Sequence, residues 1–212
     1  MKNIERILSG NKKFAERIVK EDPTFFDRLC NEQKPGYLWI GCSDSRVPAN
    51  EVTDTDPGEM FVHRNIANLV VNSDLNVMSV LQYAVEHLEV DHIIVCGHTG
   101  CGGIKAAMSN TDYGVLNRWL GQIKEIYVRN EAELNTIADP NQKADRLTEL
   151  VTVEQIYNIA KTIVIQKSWQ KNKRPYIHAC MYNMKNGEMT ILETLSSENT
   201  RLPEVFTVYK WD

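Results

Sequence analysis

A thiol, a carboxylate and a guanidinium group follow a short apolar run near the start of the chain. Cys42, Asp44 and Arg46 come directly after residues 37–40, which read Tyr-Leu-Trp-Ile. This run has the length and composition of a buried strand, so the three side chains are predicted where the strand ends and a loop begins. A thiol and a carboxylate one residue apart at a strand end can converge on one point.

A second apolar run leads into a comparable group. Residues 93–97 predict another buried strand, and His98 and Cys101 follow it three residues apart. That spacing lets an imidazole and a thiolate share one metal ion. Each segment alone is a common chance pattern, but both follow strands and both are flanked by glycine. Two sulfurs, one imidazole and the carboxylate of Asp44 favour tetrahedral zinc over magnesium, calcium or manganese.

The two segments together resemble the signature of a known family. Residues 42–46 read Cys-Ser-Asp-Ser-Arg, residues 98–103 read His-Thr-Gly-Cys-Gly-Gly, and the likeness continues through residues 57–68. In this pattern the chain resembles the β-class carbonic anhydrases, over most of its length from Ile4 to Leu195.

The resemblance implies a zinc enzyme, a carbonate dehydratase of the lyase class. One Zn²⁺ per chain would be held by Cys42, His98 and Cys101, and a zinc-bound hydroxide would attack CO2 to give bicarbonate and a proton in a reversible reaction. Asp44 has two possible positions, as a fourth zinc ligand or turned away in a bidentate pair with Arg46. An ordinary surface ion pair between these two residues is the simpler alternative.

Two further pocket residues are implied by the same resemblance. Gln33 matches the family's pocket glutamine, whose side chain binds an oxygen of substrate or product, although capping of the turn at Pro35 and Gly36 would also explain it. Gly102 would present a backbone N–H to the pocket.

One branch of the family, bacterial in type, has a separate bicarbonate pocket. Trp39, Arg64 and Tyr182 match its positions, which implies allosteric inhibition by bicarbonate and by low pH. That branch usually reads His-Gly-Trp-x-Tyr, whereas residues 178–182 here read His-Ala-Cys-Met-Tyr. The alternative is that Trp39 is a core residue and that Arg64 pairs with a carboxylate.

Composition narrows the class of protein. The chain has 212 residues, 42% of them hydrophobic, which is enough for one domain with a core. A formal net charge of -4 without a basic cluster argues against nucleic acid as a partner. No apolar run is long enough to cross a bilayer, and the N-terminal residues lack the apolar core of a signal peptide. We therefore expect a cytoplasmic protein with reduced thiols, which fits an odd set of cysteines: Cys30, Cys42, Cys96, Cys101 and Cys180.

The remaining pattern predicts an α/β fold with a mainly parallel central sheet, an antiparallel edge and flanking helices. A single domain over residues 1–212 would include an N-terminal helical arm over residues 1–30 and a C-terminal hairpin over residues 176–195. One long helix is predicted over residues 148–169, and Asp139-Pro140 is read as a bend. The arm is amphipathic; in the resembled family it reaches a partner subunit, which implies a homodimer or homotetramer, but it could equally pack on its own domain.

The sequence leaves two alternatives to CO2 hydration and argues against a third. The same zinc chemistry could act on a related substrate such as carbon disulfide. The metal could be purely structural, although a structural site has no need of the Asp44 and Arg46 pair. The glycines around His98 have the wrong spacing for a dinucleotide-binding loop.

Overall fold

The computed structural model describes residues 4–208 and divides the chain into two compact units. Residues 1–3 of the predicted arm and residues 209–212 of the predicted domain lie outside the described residues. The first unit, Met1–Lys34, contains helices α1 (Ile4–Glu21) and α2 (Phe25–Asn31). Asp22 separates them, because its carboxylate accepts hydrogen bonds from the backbone N–H and the hydroxyl of Thr24.

Helix α1 carries an apolar face that is open to solvent. Ile4, Ile7 and Leu8 are 67%, 57% and 63% exposed, and the helix has no buried residue. Such a face does not stabilise an isolated helix in water, because its apolar surface stays hydrated.

The second unit, Pro35–Asp212, is built on a five-stranded sheet. The strands lie in the order β2-β1-β3-β4-β5, where the first four are parallel and β5 is antiparallel to β4. This confirms the predicted mainly parallel sheet with an antiparallel edge. The bounds are β1 (Tyr37–Cys42), β2 (Met60–Asn65), β3 (His92–His98), β4 (Tyr176–Tyr182) and β5 (Met189–Leu195).

Helices flank the sheet, as predicted. Their bounds are α3 (Ala49–Thr53), α4 (Leu75–Gln82), α5 (Gly102–Ala107), α6 (Leu116–Arg129), α7 (Glu131–Leu134), α8 (Pro140–Ala160) and α9 (Ile163–Asn172). A π-helical turn continues α4 over Tyr83–His87, and single 3-10 turns lie at Ile66–Asn68 and Glu204–Phe206. No helix within residues 4–208 has both the length and the apolar character needed to span a membrane.

The prediction of one helix over residues 148–169 was wrong. Helix α8 begins earlier, at Pro140, and ends at Ala160, where Thr162 starts α9 by accepting a hydrogen bond from the N–H of Ile165. The reading of Asp139-Pro140 as a bend missed a helix start, because the carboxylate of Asp139 caps the first turn of α8.

The core has a layer on each face of the sheet. On one face Leu38 and Val95 pack with residues of α8 and α9 such as Ile156. On the other face Trp39 packs with Cys96 and neighbouring apolar residues. Alternate residues of a strand point to opposite faces, so this arrangement fixes the register of β1 beside β3. The carboxyl ends of both strands then meet at one edge.

Candidate metal centre

Cys42, His98 and Cys101 meet at the carboxyl edge of the sheet. Strands β1 and β3 are adjacent and parallel, with Gly41 opposite Cys96, so Cys42 and His98 end neighbouring strands. Cys101 lies at the cap position before α5. The two sulfurs are 3.9 Å apart, and the ligand atoms of all three residues lie within 4.8 Å of one another. All three side chains are buried.

The two ring nitrogens of His98 differ: one is hydrogen-bonded, and the other has no hydrogen-bond partner within residues 4–208. Nδ1 lies 3.0 Å from the carbonyl oxygen of Thr99. A carbonyl oxygen only accepts hydrogen bonds, so Nδ1 carries the proton in this contact. Nε2 is buried and has no hydrogen-bond partner among the described residues. A buried polar atom left in this state is costly, and a metal ion at this point would satisfy it.

The charges of the three groups also fit a metal cation. The hydrogen bond from the Cys101 thiol lowers the pKa of Cys42 to about 4, and the same bond with burial raises the pKa of Cys101. Burial lowers the pKa of His98, but the neighbouring Cys42 thiolate outweighs it and the net shift is upward. A cation bound among the three groups would replace these shared protons. Two sulfurs and one imidazole are the donors that zinc prefers.

Asp44 and Arg46 form a bidentate pair beside this cluster. Arg46 Nε donates to Asp44 Oδ1 at 2.9 Å, its terminal nitrogen donates to Oδ2 at 2.7 Å, and its backbone N–H donates to Oδ1 at 3.0 Å. These bonds hold the pKa of the Asp44 carboxyl well below its usual range. Asp44 Oδ2 is also 3.8 Å from His98 Nε2. The carboxylate is thus turned to Arg46 yet lies close to the metal-binding atoms.

A cavity of about 420 Å³ opens beside the cluster. Cys42 and Asp44 line it on one side, and Ile66, Tyr113 and Leu116 provide apolar surface. Such a lining suits a small substrate without a dipole.

Gly102 and Gly103, at the start of α5, also line this cavity. An added Cβ at Gly103 would lie 2.7 Å from Ile66 Cγ2 and 3.3 Å from Ala67 Cβ. Glycine is therefore required for α5 to approach the turn that carries Ile66. Gly102 is among the residues that line the cavity, and the predicted role of its N–H stays a prediction.

Gln33 belongs to the first unit, in the segment that follows α2. Its side chain is exposed. Its predicted contact with substrate stays a prediction.

Trp39, Arg64 and Tyr182 project from one face of the sheet. Trp39 is fully buried, and its indole Nε1 lies against Gly41 without a hydrogen-bond partner among the described residues. Tyr182 is half-buried and packs against the same apolar layer of the core as Trp39. Arg64 donates to the backbone carbonyl of Cys42 at 2.9 and 2.8 Å and to that of Asp44 at 2.6 Å. Arg64 therefore binds the backbone at the end of β1 and in the loop that carries Asp44.

The sequence analysis missed the residues that hold the second ligand loop. Asp145 Oδ1 accepts a hydrogen bond from the N–H of Gly100 at 2.7 Å, and the Thr99 hydroxyl accepts one from the N–H of Met184 at 2.9 Å. No spacing rule points to an aspartate 45 residues away on α8. Ile66 and Tyr113 were likewise unpredicted, because only the folded chain brings them to the cavity.

Comparison with known proteins identifies the family to which this chain is similar. The carbonic anhydrase family matches residues 37–189. A carbonic anhydrase of Emericella nidulans is 48% identical over 183 residues, which cover 86% of this chain and 80% of that protein. A tetrameric β-carbonic anhydrase from Sordaria macrospora superposes with a TM-score of 0.87 at 35% identity, over 89% of this chain and 96% of that one. A Coccomyxa β-carbonic anhydrase in complex with acetazolamide gives a TM-score of 0.88 at 34% identity, over 92% and 89% of the two chains.

Proposed function

This chain belongs to the carbonic anhydrase family, in its β class, and we propose that it hydrates CO2 reversibly to bicarbonate and a proton with one zinc ion per chain. Cys42, His98 and Cys101 would hold the ion. The observation that carries this proposal is the buried cluster of two sulfurs and one imidazole whose Nε2 has no other partner within the described part of the chain. A bound zinc ion supplies a hydroxide nucleophile at neutral pH by lowering the pKa of water.

Asp44 and Arg46 would orient that nucleophile. Paired with Arg46, Asp44 would leave a metal held by the other three residues accessible and would keep a carboxylate oxygen close to it. A carboxylate only accepts hydrogen bonds, so it favours a nucleophile that donates one and turns its lone pair to the substrate. The depressed pKa of Asp44 keeps it an acceptor across the working pH range.

The cavity would bind CO2 through apolar contact and bind product through polar contact. Ile66, Tyr113 and Leu116 offer apolar surface to CO2. We assign the amide of Gln33 and the N–H of Gly102 to the oxygens of substrate or bicarbonate. For Gly102 this is supported by its position in the cavity, and for Gln33 only by the family resemblance.

Zinc content and stopped-flow CO2 hydration test the proposal together. The purified parent is expected to carry about one zinc per chain and to be active. Cys42→Ser, His98→Ala and Cys101→Ser should each lose zinc and activity, and Cys96→Ser, a buried cysteine outside the cluster, is the matched control. Full zinc occupancy in one of the three ligand variants would remove that residue from the ligand set. If the zinc-loaded parent protein does not hydrate CO2, the zinc ion has a structural role.

A second part of the proposal is inhibition by bicarbonate and low pH, as in the bacterial-type branch of the family. Trp39 has a buried N–H donor without a described partner, and Arg64 supplies positive charge. An anion that drew Arg64 away would break its bonds to the carbonyls of Cys42 and Asp44. The loop could then move Asp44 onto the metal. The assignment to this branch stays a prediction that rests on Trp39, Arg64 and Tyr182.

We also propose assembly into a homodimer or homotetramer in the cytoplasm. The exposed apolar face of α1 supports assembly, and a related β-carbonic anhydrase is tetrameric. All five cysteines are free thiols, which supports a reducing compartment.

A further inference from the structure

The peptide bond between Thr99 and Gly100 is hydrogen-bonded at both ends. Its carbonyl oxygen faces His98 Nδ1 at 3.0 Å, and its N–H donates to Asp145 Oδ1 at 2.7 Å. The carboxylate, the peptide and the imidazole thus form one continuous chain of hydrogen bonds. This series of hydrogen bonds ends at the imidazole whose Nε2 is buried and has no hydrogen-bond partner among the described residues.

We infer that Asp145 is a positioning residue for the metal and acts on His98 through the Thr99–Gly100 peptide. A carboxylate at the N–H end polarises the peptide and makes its carbonyl oxygen a stronger acceptor. The stronger acceptor holds the proton on Nδ1, keeps the lone pair on Nε2 and makes His98 a better ligand. Carboxylates bonded directly to a ligating histidine act in this way, and here a peptide stands between the two groups. The inference rests on the proposed zinc site.

The other hydrogen bonds of Thr99 do not fix the plane of the Thr99–Gly100 peptide. The N–H of Thr99 donates to the carbonyl of Tyr182 at 3.0 Å, and its hydroxyl accepts from Met184. These bonds fix Thr99 but not the rotation of the peptide plane that follows it. Gly100 has a φ of +67°, where glycine has no steric penalty and also little resistance to rotation. The bond to the half-buried Asp145 fixes that plane.

The test compares two neutralising substitutions on α8. Asp145→Asn keeps the shape and an oxygen acceptor for Gly100 but removes the charge. Glu149→Gln removes the same charge four residues further along the helix, where the carboxylate bonds to Arg146 instead of the loop. On the zinc-loaded full chain, release of zinc to a chromogenic chelator should be about tenfold faster in Asp145→Asn, at the low end for partners of metal ligands. The rate in Glu149→Gln should equal that of the parent.

A spectroscopic measurement separates positioning from general loss of stability. In ¹⁵N-histidine-labelled protein, the His98 Nδ1–H proton should move upfield in Asp145→Asn, because its bond to Thr99 weakens, and should stay unchanged in Glu149→Gln. If Asp145→Asn does not fold, Asp145→Ser provides the smaller neutral replacement, with the same expectation. Equal release rates and an unmoved resonance would overturn the role of Asp145. A parent protein that binds no zinc would overturn the zinc site itself and this inference with it.

Discussion

Replacing Arg46 by alanine tests how Asp44 is kept away from the metal. The substitution removes the two side-chain bonds to Asp44, at 2.9 and 2.7 Å, and leaves the backbone N–H of residue 46 in place. Hydrogen bonds to charged groups contribute about 1.5–3 kcal/mol. The Arg46 side chain is 57% exposed, so solvent screening places this pair at the weak end of that range. A contribution at the weak end corresponds to a shift of Asp44 toward the metal by roughly tenfold.

The geometry makes that shift easy. Asp44 Oδ2 lies 3.8 Å from His98 Nε2, one of the atoms that would hold the metal, so the carboxylate would have little distance to cover to reach the ion. We expect stopped-flow CO2 hydration by Arg46→Ala to fall by at most about tenfold near neutral pH, because only the molecules whose Asp44 has moved to the metal lose activity. Zinc content, measured by elemental analysis, should stay near one per chain, because the three ligands are unchanged.

A matched substitution and a clear contrary result complete the test. Arg46→Lys keeps the positive charge but loses the planar fork, so its activity should lie between those of the parent and Arg46→Ala. Near-parental turnover in Arg46→Ala with full zinc would refute the role of the pair. Loss of zinc in Arg46→Ala would show instead that Arg46 acts in metal retention.

Three further predictions concern stability, assembly and regulation. Burial and the hydrogen bond to Glu193 raise the pKa of Tyr157 to about 12, so the stability that this hydroxyl contributes should be complete below about pH 10 and be lost as the pH rises toward 12. In urea unfolding, Tyr157→Phe should cost about 1–2 kcal/mol at pH 8 and progressively less above pH 10, and a constant difference would contradict this sign. Deletion of residues 1–20 should lower the number of subunits per particle, obtained at micromolar concentration as the light-scattering mass divided by the subunit mass. An unchanged number of subunits would exclude α1 from the interface. Trp39→Phe should weaken inhibition by bicarbonate while zinc stays bound. It is a better test than Arg64→Ala, because the latter also removes the hydrogen bond to the Cys42 carbonyl. Inhibition as strong as in the parent would count against the bicarbonate pocket.

The ligand cluster could be predicted from sequence because its pattern is local. Cys42 and His98 each end a short apolar strand, and parallel strands in an α/β sheet carry their ligands at one edge. The order of the sheet then places β1 beside β3. Asp44 and Arg46 are two residues apart, so their pairing also needed no knowledge of the fold.

The parts that could not be predicted depend on contacts between distant residues. Asp145 lies in a stretch of polar residues typical of the exposed side of a helix. Nothing near it in sequence indicates that it accepts a hydrogen bond from the N–H of Gly100. The break after Ala160 depends on Thr162, one capping hydroxyl within a sequence of otherwise helical composition. Helix propensity alone is too weak to locate such a break.

The two ligand segments are held by different parts of the second unit. Arg64 on β2 binds the carbonyls of Cys42 and Asp44, and Asp145 on α8 binds the loop after His98. Neither residue lies in the two ligand segments, yet each fixes the main chain next to a metal-binding side chain. A metal site binds more tightly when its ligands are held in place before the ion arrives, because otherwise part of the binding free energy is spent on ordering them. On the proposed zinc site, the two segments would determine which metal binds, whereas the bonds from Arg64 and Asp145 would determine how firmly the ligands hold it.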